Sequence, residues 1–265
     1  MIAGGPQAMQ DDFTYDDETV GVLKSSISES RLSTYLKLAN GDYGSALKLY
    51  AHNMALSEAF LGPLHCLEVV LRNRIDVRLC ADYGPQWYSL RIFQKRETTF
   101  IEKTIGKLKK RDPQLKPDKV ISELPFGFWV GVFGRRYEDP LWRKTLRQMF
   151  ANAEVLRRKH VVSALEPLRT LRNRIAHHEP ILKRGSDEAW RPEWQSPDDL
   201  LVHFENILII LRWIDPKLSR WVLANSRVLN ALEHFGTTNP RIQQWDYAES
   251  RILKIIESRR RKRPN

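Results

Sequence analysis

Between Leu171 and Pro180 the chain reads Leu171-Arg172-Asn173-Arg174-Ile175-Ala176-His177-His178-Glu179-Pro180. Arginine offers a planar fork of donors that matches the oxygens of a phosphate. Histidine is the side chain best suited to moving protons near neutral pH. Together they are the minimum equipment for cutting RNA without a metal. One group takes the proton of a ribose 2′-OH, one protonates the departing 5′-oxygen, and positive charge steadies the phosphate as its oxygens gain charge. In this reading Arg172 grips the phosphate, His177 carries protons and Asn173 orients one of them. His178 is a second candidate for the proton-carrying role, and Arg174 a further contact to RNA.

The spacing leaves two arrangements open. Arg172 and His177 are five residues apart, about 140° around an ideal helix, so they do not share a stripe. Either Arg172 curls back towards its own histidine, or two chains build one site. Both histidines fall near the predicted end of a helix, where the dipole favours a cation. A string this short also has a plain structural reading, with Arg172 and Arg174 as surface or ion-paired residues and His178 as a helix cap.

The elements that must carry these residues read as helices. Apolar residues at Leu32, Tyr35, Leu36 and Leu38 fit one face, and Tyr43 to Phe60 repeats the pattern. Gly62-Pro63 predicts an interruption, with proline at a new first turn and a third helix from Leu64 to about Ala81. Phe93 to Arg111 reads as an exposed helix. Leu124 to Gly134 mixes glycine with Phe126, Phe128, Trp129 and Phe133, a composition open to a strand as well as a helix. Asp139-Pro140 predicts a helix start with Asp139 as N-cap, followed by helical patterns over Leu141 to Phe150 and Val155 to His178. Pro167 predicts a kink or restart, and Pro180 closes the segment. A polar loop spans Arg184 to Pro197. Further helices are expected from Ser196-Pro197 to about Ile214, from Asp215-Pro216, and from Arg241 to Ile256. The fold class is all-α. The expected organisation is an acidic, partly flexible segment over 1–27, a helical domain over 28–215, a helical extension packed on it over 216–258, and a basic tail over 259–265.

With 265 residues, 42% of them hydrophobic and 28% charged, the chain has the composition of a globular protein with a sizeable core. Its net charge of +11 points to a polyanionic partner. The acidic start has no signal-like apolar region, and the longest apolar run, Ile207 to Leu211, is far too short to span a bilayer. Two cysteines, Cys66 and Cys80, without CxxC spacing argue against a zinc site and fit a reducing, cytosolic setting. Asp198, Asp199, His203 and Glu205 are ligand types, but only Asp199 and His203 share a face, so no metal and no cofactor are expected.

Other basic and polar groups qualify the picture. Lys107, Lys109, Lys110 and Arg111, and the tail Arg259 to Arg263, are placed to follow an RNA backbone. The aromatics Phe126, Phe128, Trp129 and Phe133 read as core or interface packing ahead of base stacking. Glu68 and Arg72, one turn apart, are expected to pair. Leu71-Arg72-Asn73-Arg74-Ile75 echoes Leu171-Arg172-Asn173-Arg174-Ile175, by chance, shared packing or duplication.

Several short stretches, in one order, resemble the Abi-like (abortive infection, AbiD/AbiF-type) proteins of the HEPN superfamily, a bacterial family. They are Arg31-Leu32-Ser33-Thr34-Tyr35-Leu36, Ala46-Leu47-Lys48-Leu49-Tyr50 with Asn53, Leu67-Glu68-Val69-Val70-Leu71-Arg72-Asn73, Gly127-Phe128-Trp129, Tyr137 with Leu141-Trp142, and the segment around Arg172. They cover residues 28 to 215. The resemblance implies a HEPN-like helical bundle with additional helices and an RxxxxH ribonuclease motif filled by Arg172, Asn173 and His177; His178 satisfies a spacing one longer. It also implies a homodimer in which two motifs face one cleft. The function implied is metal-independent endoribonuclease activity in phage defence or as a toxin. An antitoxin protein or a small regulatory RNA is a compatible partner, and no membrane is involved. The alternative is a non-catalytic RNA-binding or regulatory module.

Overall fold

The computed structural model describes residues 13–112, 114–151, 156–181 and 197–233. Within them the chain is all-α, without a strand. The expected helix over Arg241 to Ile256, the loop from Arg184 to Ser196 and the basic tail lie outside the described residues. The chain divides into two compact units, Met1–Ala55 and Leu56–Asn265.

In the first unit, α1 (Asp17–Ile27) forms within the acidic stretch. Asp16 caps it by accepting from the Thr19 amide at 2.8 Å, and Asp17 and Glu18 sit in its positive first turn. Ser28, at φ 79°, turns the chain into α2 (Glu29–Leu38), which buries Leu32 and Tyr35. Tyr35 meets Tyr50 edge to face, with ring centroids 5.3 Å apart.

Helix α3 (Tyr43–Tyr83) runs without interruption through Pro63, contrary to the expected break at Gly62-Pro63. The reason is the stripe Leu56, Phe60, Leu64, Leu67, Leu71, Ile75 and Leu79, each at most 2% exposed. Burial of such side chains contributes about 1.5–3 kcal/mol apiece. An interior proline costs about 3 kcal/mol, so the stripe outweighs it. Among the described residues one helix, α3, is long and apolar enough to cross a membrane by length and composition alone. Its stripe instead belongs to the core of the second unit.

The remaining helices of the second unit are α4 (Lys95–Lys109), α5 (Pro117–Glu123), α6 (Phe126–Gly131), α7 (Arg158–Ala176), α8 (Pro197–Ile214), α9 (Pro216–Asn225) and α10 (Val228–Glu233). The Gly-aromatic segment is thus helical. Phe126, Phe128, Trp129 and Phe133 are all buried in the core; Phe128 and Trp129 pack with Trp87, Phe128 also with Phe93, and Phe133 with Trp142 and Phe150. Trp87 donates to Asp76 Oδ1 at 2.8 Å and Trp129 to the Leu124 carbonyl at 3.1 Å, so both indoles are satisfied. Gly131 is required for space. A Cβ there would lie 2.5 Å from Oε1 of Glu97, a buried carboxylate whose Oε2 accepts from Tyr137 at 2.7 Å.

Asp139-Pro140 does not start an α-helix. Glu138–Arg143 forms a π-helical turn and Leu146–Met149 a 3-10 turn. Asp139 pairs with Arg143 at 3.4 Å instead of capping. Pro167 lies inside an unbroken α7. By contrast α8 begins at Pro197, and α9 begins at Pro216 with Asp215 accepting from the Lys217 amide at 2.8 Å, as the sequence predicts.

His203 on α8 is 7% exposed, and burial pushes its imidazole down to about 4, against a smaller upward pull from Asp199. The unfolded chain takes up this proton near pH 6.5, the folded chain only near 4. The neutral histidine therefore leaves stability intact above pH 6.5, and stability falls as pH drops towards 4, by about 3 kcal/mol if the whole shift is realised. Urea unfolding of wild type and His203→Gln from pH 7 to 4 should show a shallower loss in the variant.

Candidate functional site

Helix α7 positions the Arg–Asn–His segment. Val161, Ala164, Leu165, Leu168, Leu171 and Ile175 form its buried face. Burial of Leu171 and Ile175 turns Arg172 and Asn173 towards the half-exposed flank. The helix ends at Ala176, before the expected His178.

The ending is a Schellman turn. The Glu179 amide donates to the Arg174 carbonyl at 2.8 Å and the His178 amide to the Ile175 carbonyl at 3.1 Å. The turn requires a left-handed residue, and His178 fills it at φ 56°, where glycine is usual. Arg174 supports the same turn, its Nη1 donating to the Pro180 carbonyl at 3.4 Å. Arg174 thus has a structural contact in the place where a contact to RNA is expected. Both histidines are exposed. The imidazole of His177, the C-cap residue, has no hydrogen-bond partner among the described residues.

Arg172 is held from α3. Its Nε lies 3.3 Å from Glu68 Oε2, with side-chain exposures of 37% and 21%. This corrects the expected Glu68–Arg72 pair: Arg72 instead donates to the Ser122 carbonyl at 3.3 Å and to Asn73 Oδ1 at 3.4 Å. Glu68 engages one edge of the guanidinium. Among the described residues Arg172 has no other polar partner, so its remaining donors are open. A half-exposed pair of this kind contributes roughly 0.2–1 kcal/mol, so it orients the side chain and adds little to folding. No contact joins Arg172 to His177 within the described residues.

The two copies of the echo share their pattern of burial. Leu71 and Ile75 are buried just as Leu171 and Ile175 are, at equivalent positions on α3 and α7. Past the repeat the copies diverge: Asp76 is committed to Trp87 and Cys80, whereas the second copy runs into its histidines.

Among the described residues no hydrogen bond or ion pair joins Lys107, Lys109, Lys110 or Arg111 to this segment. Lys107 pairs with Glu123 at 2.9 Å, and the other three are exposed at the end of α4. Helices α4 and α7 both contact α6. Arg96 Nη2 and Arg169 Cδ lie 3.7 and 3.9 Å from the Cβ position of Gly127. From Arg96 to Lys107 is about 16 Å of helix. Sequence reasoning passed over Arg96 and Arg169; only the three-way meeting at Gly127 selects them. Asp199 and His203 stand without a wider ligand set: among the described residues no three His, Cys, Asp or Glu side chains gather to hold an ion.

A left-handed conformation costs a residue with a Cβ about 1 kcal/mol or more. His178→Gly should therefore raise the thermal midpoint by roughly 2–4 °C for a chain of this size, while His178→Ala, which keeps the strain, should not. Differential scanning calorimetry of the two variants checks this.

No family model, curated protein or solved structure matches the chain.

Proposed function

We propose that this chain is a metal-independent endoribonuclease of the HEPN type, resembling the Abi-like proteins, and that it works as a homodimer in abortive infection or as a toxin. The observation that supports it most is the state of Arg172 and His177. One edge of the guanidinium rests on Glu68 and the rest is open, while the imidazole stands exposed and unpartnered at the end of the same helix.

In this reading Arg172 binds the scissile phosphate and Asn173 orients it or the imidazole. A histidine removes the ribose 2′-OH proton as that oxygen attacks phosphorus. A second protonated group gives its proton to the 5′-oxygen as the P–O bond breaks. The products are a 2′,3′-cyclic phosphate and a 5′-hydroxyl. Two proton transfers call for two groups. In a two-fold pair of chains Arg172 of one faces the histidines of the other, and His177 with His178 supplies the two imidazoles of each site. The missing Arg172–His177 contact favours the two-chain arrangement. A non-catalytic RNA-binding module is the second reading, favoured by Glu68 already offsetting the charge of Arg172.

Purified protein dialysed against EDTA should cut single-stranded RNA and leave cyclic or 3′-phosphate ends opposite 5′-hydroxyls. His177→Ala and Arg172→Ala should lower the rate by about 10²–10⁴-fold. Mass spectrometry of the fragments checks the chemistry; magnesium-dependent cleavage to 5′-phosphates would overturn it.

The shared site has its own test. Arg172→Ala and His177→Ala chains, each inactive alone, should regain about a quarter of wild-type activity when mixed and allowed to exchange. Half the dimers are then mixed, and each mixed dimer holds one intact site. Absence of recovery despite demonstrated exchange would place arginine and histidine of one chain in one site.

A further inference from the structure

Helix α9 carries a feature that the proposed chemistry does not use. Its inner face, with Ser219 and Val222 buried, packs into the second unit. Its outer face presents Lys217, Arg220 and Trp221, and Arg227 follows just past its end; all four are exposed. Trp221 is 60% exposed. None of the three cations forms an ion pair among the described residues. Beside Trp221 a groove of about 330 Å³ opens between α9 and α3, walled by Pro63, Cys66, Val69 and Val222 with His65 and Asn225 as polar groups. Among the described residues no acidic side chain lines it.

We infer that the Trp221 face of α9, with this groove, binds a single-stranded segment of RNA. The inference rests on RNA being the substrate of the Arg172 site. An exposed indole is a stacking platform for any base, and cations one turn apart beside it match the phosphates. The groove admits a base that has left its stack, which a duplex does not offer. Charge complementarity selects a polyanion over a neutral or basic protein partner. Val69 lines the groove, and its neighbour Glu68 holds Arg172. A strand seated on α9 therefore lies beside the helix that orients the phosphate-gripping side chain.

The test uses the full chain carrying His177→Ala, to prevent cleavage, and a fluorescein-labelled oligouridine read by anisotropy. Adding Trp221→Ala should weaken binding about tenfold or more, and Trp221→Phe should retain most of the affinity. Lys217→Glu with Arg220→Glu should weaken binding and flatten its dependence on salt. A blunt duplex of the same length should bind less tightly than the single strand. Unchanged affinity in the Trp221→Ala and charge-reversed proteins overturns the inference. So does loss of the dimer in light scattering with RNA affinity intact, which would assign the face to a second copy of the chain. The two readings fail separately. RNA cleavage by wild type together with Trp221-independent binding removes only the α9 surface. Trp221-dependent binding by a protein that cuts nothing removes only the nuclease.

Discussion

The buried stripe from Leu56 to Leu79 is the constraint on which the rest of the second unit depends. It carries α3 unbroken through a proline that would otherwise end the helix, and so fixes the angular position of the neighbouring residues from Leu56 to Leu79. Glu68 reaches Arg172 only because Leu67 and Leu71 are buried on the adjoining stripe. His65, Cys66 and Val69 form a wall for the same reason. Farther along, Asp76 receives the indole of Trp87, which anchors the aromatic core beneath α6. A break at Gly62-Pro63 would rotate all of these out of register.

The candidate site is built with far weaker forces than the core that carries it. Core side chains each contribute on the order of 1.5–3 kcal/mol, whereas the Glu68–Arg172 pair is worth a fraction of that. The turn that displays the histidines holds one of them in a conformation that disfavours side chains. Orientation by weak contacts on a rigid support leaves the guanidinium able to change partners without disturbing the helices. In the proposed reaction Glu68 would be both a support and a competitor, since a carboxylate and a phosphate seek the same donors.

Sequence patterns were legible where a local rule and the tertiary structure agree. Asp215-Pro216 starts a helix by capping and preset φ, and the buried face of α7 follows its apolar spacing. They misled where packing outweighs a local rule. Pro63 is such a case. The Phe126–Gly131 segment, whose composition leaves strand and helix open, is helical, and its Gly131 admits the close approach of Glu97. The partner of Glu68 was illegible because an i,i+4 arginine on the same helix is the default, and only the meeting of α3 with α7 offers another. For the candidate site, residue types and order were readable along the chain. The Schellman turn, the left-handed His178 and the approach of Arg96 and Arg169 were not, because each depends on backbone geometry or on segments far apart in sequence.

The close approach of Gly131 to Glu97 links two positions 34 residues apart. A methyl group at 131 and a full-length carboxylate at 97 cannot occupy the same space, and the carboxylate is also fastened to Tyr137. A side chain at 131 therefore requires Glu97 either to be shortened or to turn its carboxylate aside and give up its bond to Tyr137. Substitutions at the two positions are coupled through the space they share.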